Sequence, residues 1–80
     1  MMKVKVKLFA TLRHHLPPHA ENSACDVELS EGTVVNTVME MFKLPPEVPK
    51  IILINGIQKD AQTEIKDGDT LSIFPPIAGG

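Results

Sequence analysis

The residues best placed to do chemistry are the last two. Gly79-Gly80 ends the chain in a carboxylate with no side chain beside it. Glycine is costly to order and packs nothing, so a terminal pair calls for a reason. One reason is a frayed end without function. The other is a tail that threads a passage too narrow for a Cβ atom. The six residues from Pro75 to Gly80 reach at most ~20 Å when extended. That carries the carboxylate off the body of the protein and into a partner's active site. Pro75-Pro76 would stiffen the exit and aim it outward.

Other residue types with chemical potential read as structural. Cys25 shares its parity with Val27 and Leu29, which places the thiol in the core as a small hydrophobe. His14, His15 and His19 sit in a Pro-rich stretch without a metal-ligand spacing, so no metal site is expected. Asp67 and Asp69 flank Gly68 as turn residues rather than as paired catalytic carboxylates. Lys3, Lys5 and Lys7 fit a solvated strand face, with an acidic partner as the alternative. Arg13 and Lys66 fall near predicted sheet ends, where either could touch a partner. No nucleophile–base pair stands out, so the chain is not expected to be an enzyme on its own.

Composition sets the frame for these residues. Eighty residues and 8.8 kDa allow one small domain. Hydrophobic residues at 42% and charged residues at 22% exclude a wholly disordered chain. The net charge of -2 lacks the basic excess of a nucleic-acid binder. No apolar run approaches the ~20 residues that span a bilayer, and the alternating Met1-Met2-Lys3-Val4-Lys5 start does not suit a signal peptide. A single cysteine permits neither an internal disulfide nor a cysteine-based zinc site. A cytoplasmic protein is therefore expected, binding no nucleic acid and no membrane.

The elements that must position the tail follow from periodicity. Residues 3–9 alternate, with Val4, Val6 and Leu8 on one face and Lys3, Lys5, Lys7 and Phe9 on the other. This is a half-buried strand. Residues 10–24 read as a loop, and Cys25, Val27 and Leu29 mark a second strand. Thr33 is the expected N-cap of a helix. At 100° per residue, Val34, Val35, Val38, Met39, Met41 and Phe42 cover an arc of about 160°, which puts Met39, Met41 and Phe42 in the core. Pro45-Pro46 stops that helix. Lys50–Ile54 reads as a buried strand, Asn55-Gly56 as a tight hairpin turn, and Ile57-Gln58-Lys59 as a brief return strand. After the Asp67-Gly68-Asp69 turn, Thr70–Phe74 forms the last strand, with Leu71 and Ile73 inward.

Strand, strand, helix, strand, short strand, strand is the β-grasp order. The predicted class is α+β: a ubiquitin-like mixed sheet of four to five strands, covered on one face by one main helix. Residues 1–76 would form the domain and residues 77–80 a flexible Gly-Gly tail. The last strand should run parallel to the first in mid-sheet. Phe9 and Phe74 then meet on the face away from the helix, as an apolar patch at the root of the tail. The alternatives are a loop folded over them or a register slipped by one.

The chain resembles the MoaD/ThiS family of ubiquitin-like sulfur carriers over nearly its full length. The resemblance rests on the Lys-Val-Lys-Leu-Phe opening, Ala10-Thr11-Leu12-Arg13, Glu31-Gly32-Thr33-Val34, Asn55-Gly56, Lys66-Asp67-Gly68-Asp69 and Phe74-Pro75-Pro76-Ile77-Ala78-Gly79-Gly80. Phe-Pro-Pro before the tail is similar to the molybdopterin synthase small subunit. The His- and Pro-rich stretch from His14 to Asn22 departs from the family's helical turn.

The resemblance implies that Gly80, with Gly79, carries the chemistry. A ubiquitin-activating-type adenylyltransferase would join Gly80 to AMP, consuming ATP. A sulfur donor such as a persulfide protein would then convert it to a thiocarboxylate. Sulfur would pass to the molybdopterin precursor in a complex with the synthase large subunit, expected as a heterotetramer. Phe9, Phe74, Pro75, Pro76, Ile77 and Ala78 would contact partners, and the chain itself would bind no cofactor. Other readings are a carrier for thiamine or tRNA thiolation, a ubiquitin-like modifier joined to target lysines, and a passive interaction domain.

Overall fold

The computed structural model describes residues 1–18, 20, 23–47 and 49–75. Five strands form one mixed sheet: β1 (Met2–Leu8), β2 (Ala24–Leu29), β3 (Ile51–Ile54), β4 (Ile57–Gln58) and β5 (Thr70–Phe74). Their order across the sheet is β2-β1-β5-β3-β4. The helix α1 (Val35–Met41) lies between β2 and β3 in the chain. The pairing β1–β5 is parallel, and the other three pairings are antiparallel. This is the expected β-grasp arrangement, with the last strand in the centre.

The alternation in β1 does what its sequence asks. Val4, Val6 and Leu8 are buried, while Lys3 and Lys5 are exposed. Opposite them on the same inner face, Leu71 and Ile73 of β5 are also fully buried. Val35 and Val38 of α1 close over this row, joined by Ile52, Ile54 and Ile65. Burying side chains of this size contributes about 1.5–3 kcal/mol each. That burial holds a helix whose valines and threonine favour it poorly.

Four expectations are corrected here. First, the stretch after β1 is not simply a loop. Ala10–His15 forms a 3-10 helix that carries Leu12 into the core at 4% exposure. Ala10 enters it through positive φ (54°). A helical turn of the kind the resemblance implies is thus present as far as His15, and the departure is smaller than the sequence suggested.

Second, Thr33 is not the N-cap. Its hydroxyl donates to the Ser30 carbonyl at 2.7 Å, and the helix begins after Val34. The first helical donors are taken by another segment. Val35 N–H reaches Thr63 O and Asn36 N–H reaches Ala61 O, at 3.0 and 2.8 Å. A tertiary contact replaces the side-chain cap.

Third, Met41 is 52% exposed rather than buried. The stripe is centred between Val35 and Val38, and Met41 lies about 90° from that centre. Met39 and Phe42 do pack against the core. Fourth, the apolar run before the hairpin is not buried throughout, because Ile51 is 39% exposed. The hairpin fixes its parity. Asn55 and Gly56 both have positive φ, 52° and 84°, as a two-residue turn matched to the sheet's twist requires. Ile52 and Ile54 then point inward, and Ile51 and Leu53 outward.

Candidate docking face and tail exit

The helix covers one face of the sheet and leaves the other open. At the end of the central parallel pair, Leu8 stands opposite Ile73. The ladder continues one step further, since Phe9 N–H donates to Ile73 O at 3.2 Å. Leu8 and Ile73 both point inward, so Phe9 and Phe74 both point to the open face. Their rings stack in parallel, with centroids 4.2 Å apart and planes 10° from each other. Each ring shields one face of the other, so both are half-buried rather than fully exposed. The expected meeting of the two phenylalanines therefore holds, and no register slip occurs.

A third apolar residue extends the pair. Ile51 of β3 is the register partner of Phe74 and is exposed. Phe9, Phe74 and Ile51 thus make a strip across three strands. The sequence did not single out Ile51, because Ile-Ile-Leu-Ile has no alternation to reveal a face. Its even spacing from Leu53, counted back from the Asn55-Gly56 turn, was the available signal.

The strip borders the point where the chain leaves the sheet. Pro75, half-buried, follows Phe74 directly. The assignments to Pro76, Ile77, Ala78, Gly79 and Gly80 lie outside the described residues, as does the tail at 77–80. What the described residues supply is a strand end, Phe74-Pro75, beside an aromatic strip.

The remaining candidates are placed elsewhere. Cys25 is buried in β2, opposite Val6. Burial pushes its thiol pKa above the ordinary value, and the Asp26 charge adds to this. A thiol held neutral is a poor nucleophile. Asp67 and Asp69 serve the turn before β5. Asp67 Oδ1 accepts Lys3 N–H at 2.7 Å, and Asp69 Oδ2 accepts Lys66 N–H at 2.8 Å. Lys66 lies at this turn, at the other end of β5 from the tail, and forms an exposed ion pair with Glu64 at 3.3 Å. Such a pair contributes little. Arg13 is exposed on the 3-10 helix, with Nε donating to Ala10 O at 3.3 Å.

His14 is exposed and His15 half-buried, while His19 lies outside the described residues. Among the described residues, no group of His, Cys, Asp or Glu could hold a metal ion. No helix among them is long and apolar enough to cross a membrane. A shallow groove of about 460 Å³ lies at the C-terminal end of α1, lined by Met39, Glu40, Lys43, Leu44 and Lys50 among others. It shares no residue with the aromatic strip.

Comparison with known proteins agrees with this geometry. The sequence profile of the ThiS family matches residues 6–80. A solved structure from Pyrococcus furiosus, described as molybdopterin converting factor subunit 1, is 31% identical, with a TM-score of 0.74 over 96% of this chain and 100% of that one. Small archaeal modifier protein 1 of Haloferax volcanii shares the fold at 19% identity and TM-score 0.72, over 96% of this chain and 100% of its own. So does a complex of subunits 1 and 2 of molybdopterin-converting factor from Helicobacter pylori, at 23% identity and TM-score 0.63, over 99% and 100% of the two chains. No curated protein sequence matches the chain. With the profile spanning nearly the whole sequence and the sheet, helix and strip arranged as described, the chain belongs to the ThiS family of ubiquitin-like sulfur carriers.

Proposed function

We propose that this protein carries sulfur on its C-terminal carboxylate for molybdopterin synthesis. The observation that carries the reading is the stacked Phe9–Phe74 pair at the root of a Gly79-Gly80 tail, on a ThiS-family body. The body supplies recognition and the tail supplies the reacting atom. Phe74-Pro75-Pro76 and the Pyrococcus furiosus relative favour the molybdopterin pathway over thiamine or tRNA thiolation.

The chemistry starts from a carboxylate, which is a poor electrophile. A Gly80 carboxylate oxygen attacks the α-phosphorus of ATP in a ubiquitin-activating-type partner, and pyrophosphate leaves. The acyl-adenylate carbonyl is then attacked by the outer sulfur of a persulfide donor, and AMP leaves. A second thiol cleaves the S–S bond of the resulting acyl disulfide, forming a disulfide and releasing the Gly80 thiocarboxylate. In a complex with a large subunit, its sulfur attacks a carbon of the pterin precursor and displaces an oxygen from it, which leaves the pterin joined to Gly80 through a thioester. Water then returns Gly80 to a carboxylate. The catalytic groups belong to the partners, and this chain acts as a macromolecular group carrier. ATP is consumed by the partner, and no resident cofactor is needed here. Glycine at 79 and 80 lets the tail lie extended in a narrow passage, and the aromatic strip fixes where it enters.

Intact mass tests the reading. Protein with an untagged C-terminus is incubated with an extract of the source cells, ATP and a sulfur donor. A shift matching one oxygen replaced by sulfur, localised to Gly80, is expected. If lysine conjugates of this chain accumulate and no such shift is seen, the protein is a modifier instead. If neither forms, it is a passive interaction domain.

A further inference from the structure

Asn55-Gly56 is the one Asn-Gly step in the sequence, and such a step can react with itself. The backbone nitrogen of the second residue attacks the side-chain carbonyl carbon of the first. Glycine leaves that nitrogen unshielded, because it has no Cβ. The N–Cγ bond forms, the Cγ–Nδ2 bond breaks, and Nδ2 departs as ammonia with the backbone proton. Water then opens the cyclic imide at either carbonyl, giving aspartate or isoaspartate. The reactants are this chain and water alone.

Both residues are exposed, so water has access to them. Among the described residues, Gly56 N–H donates to no backbone carbonyl, which leaves the attacking nitrogen untied. The carbonyl it would attack is held. Asn55 Nδ2 donates to Asp69 Oδ1 at 2.9 Å, and Asn55 Oδ1 accepts Thr70 N–H at 2.9 Å. The backbone adds a third tie, from Asn55 N–H to Thr70 O, also 2.9 Å. An amide held on both of its polar atoms is not free to turn its carbonyl face onto Gly56 N. Ammonia cannot leave while Nδ2 is bound to Asp69. These bonds lie at the surface of the fold, where local opening is possible without global unfolding.

We propose that Asn55-Gly56 is a latent imide-forming modification site. The latch to Asp69 and Thr70 keeps it silent, and it reacts when the turn before β5 opens. The product cannot rebuild the latch. Aspartate at position 55 sets a second carboxylate against Asp69 where a donor stood, and like charges repel. Isoaspartate adds one main-chain atom to a two-residue turn whose length sets the strand register. A transient opening at this turn is thereby turned into a permanent chemical mark.

The test follows the amide-to-acid mass change at Asn55 in the purified full-length chain at neutral pH, with peptide mapping and chromatographic separation of isoaspartate from aspartate. Unfolded in guanidinium chloride, Asn55 should convert faster than Asn36, which precedes Thr37. In native buffer conversion at Asn55 should slow by about a hundredfold, because only the open fraction reacts. D69A should convert about tenfold faster than wild type under native conditions. V38A, a core change on α1 away from the latch, measures what global instability does alone. At a denaturant concentration where D69A and V38A are equally folded, D69A should still convert faster. N55D, which is one of the two products made directly, should melt below wild type. The proposal is overturned if native wild type converts at the unfolded rate, or if D69A converts no faster than V38A at equal folded fraction. An N55D chain that melts with or above wild type overturns it too, because the mark would then leave the turn intact. Should D69A fail to fold, the native and unfolded rates of the wild type and the melting of N55D still decide.

Discussion

The two ends of the central parallel pair are built from opposite materials. At the entry end, where β1 and β5 begin, polar side chains bind backbone. Asp67 accepts Lys3 N–H, and Gly68 N–H returns to Lys3 O at 2.9 Å. The Asp69 carboxylate takes Lys66 N–H on one oxygen and Asn55 Nδ2 on the other, while Asn55 Oδ1 receives Thr70 N–H. Three segments distant in sequence are tied there by short, directed bonds. At the exit end there is a stacked aromatic pair, an exposed isoleucine and a proline. The entry end is satisfied within the chain. The exit end leaves apolar surface beside Pro75, which a partner would gain from covering. On the proposed reading, stability and recognition are kept at opposite ends of the same two strands.

The largest effect should come from the Gly79-Gly80 tail. Gly80→Ala and Gly79→Ala should each lower sulfur transfer by about 10²-fold, because a Cβ misplaces the reacting carbonyl. Melting temperature should be unchanged. If a folded variant transfers sulfur at the wild-type rate, the narrow-passage argument fails, and with it the division between the ends.

The aromatic pair should show a mixed effect. Phe74→Ala removes a half-buried ring and its stacking partner's cover, at about 1–2 kcal/mol of stability. Transfer measured on fully folded protein should still fall more than tenfold. A double-mutant cycle with Phe9→Ala, followed by thermal melts, should give a coupling of about 0.5–1.5 kcal/mol. If transfer falls only as far as the folded fraction does, the pair is structural and the strip is not a docking surface.

The entry end should answer in the opposite sense. Asp69→Ala deletes an acceptor that serves two donors from different segments. Hydrogen bonds to charged groups are worth about 1.5–3 kcal/mol when buried. These are exposed, so a loss of about 2 kcal/mol for the pair is expected, or roughly 10 °C in a domain of this size. Transfer per folded molecule should be unaffected. Slowed transfer in the folded variant would mean that the two ends are coupled.

Much of this contrast was legible in the residues. Parity alone placed Val4, Val6 and Leu8 inward and Phe9 outward, and topology then brought Phe9 to Phe74. Asn55-Gly56 and Asp67-Gly68-Asp69 announced their turns because few other residues take positive φ. What escaped depends on partners far away in sequence. The helix begins at Val35 rather than after Thr33 because carbonyls of 61 and 63 meet its first donors. The 3-10 helix owes its existence to a place for Leu12 in the core, which Pro17-Pro18 and the histidines obscured. Ile51 was hidden in a run with no alternation.

The smallest effect lies at neither end and calibrates both. The C-terminus of α1 closes with Leu44 N–H on Met39 O and Lys43 N–H on Glu40 O, both 3.0 Å. Leu44 is buried at 5% exposure, and Met39 packs against the same core. This is a Schellman closure, which usually places glycine where Lys43 stands. Lys43 has φ of 58°, a conformation that costs an ordinary residue about 1–2 kcal/mol. Lys43→Gly removes that strain but gives the unfolded chain more freedom, at about 0.4–1 kcal/mol. The balance is a gain of about 0.5 kcal/mol, or roughly 2–4 °C in the melting temperature. Sulfur transfer should be unchanged, because no residue of the strip or tail is involved. A stabilised variant with slower transfer would show that the partner also reads the helix end. A destabilised variant would show that the lysine side chain contributes more there than its backbone strain costs.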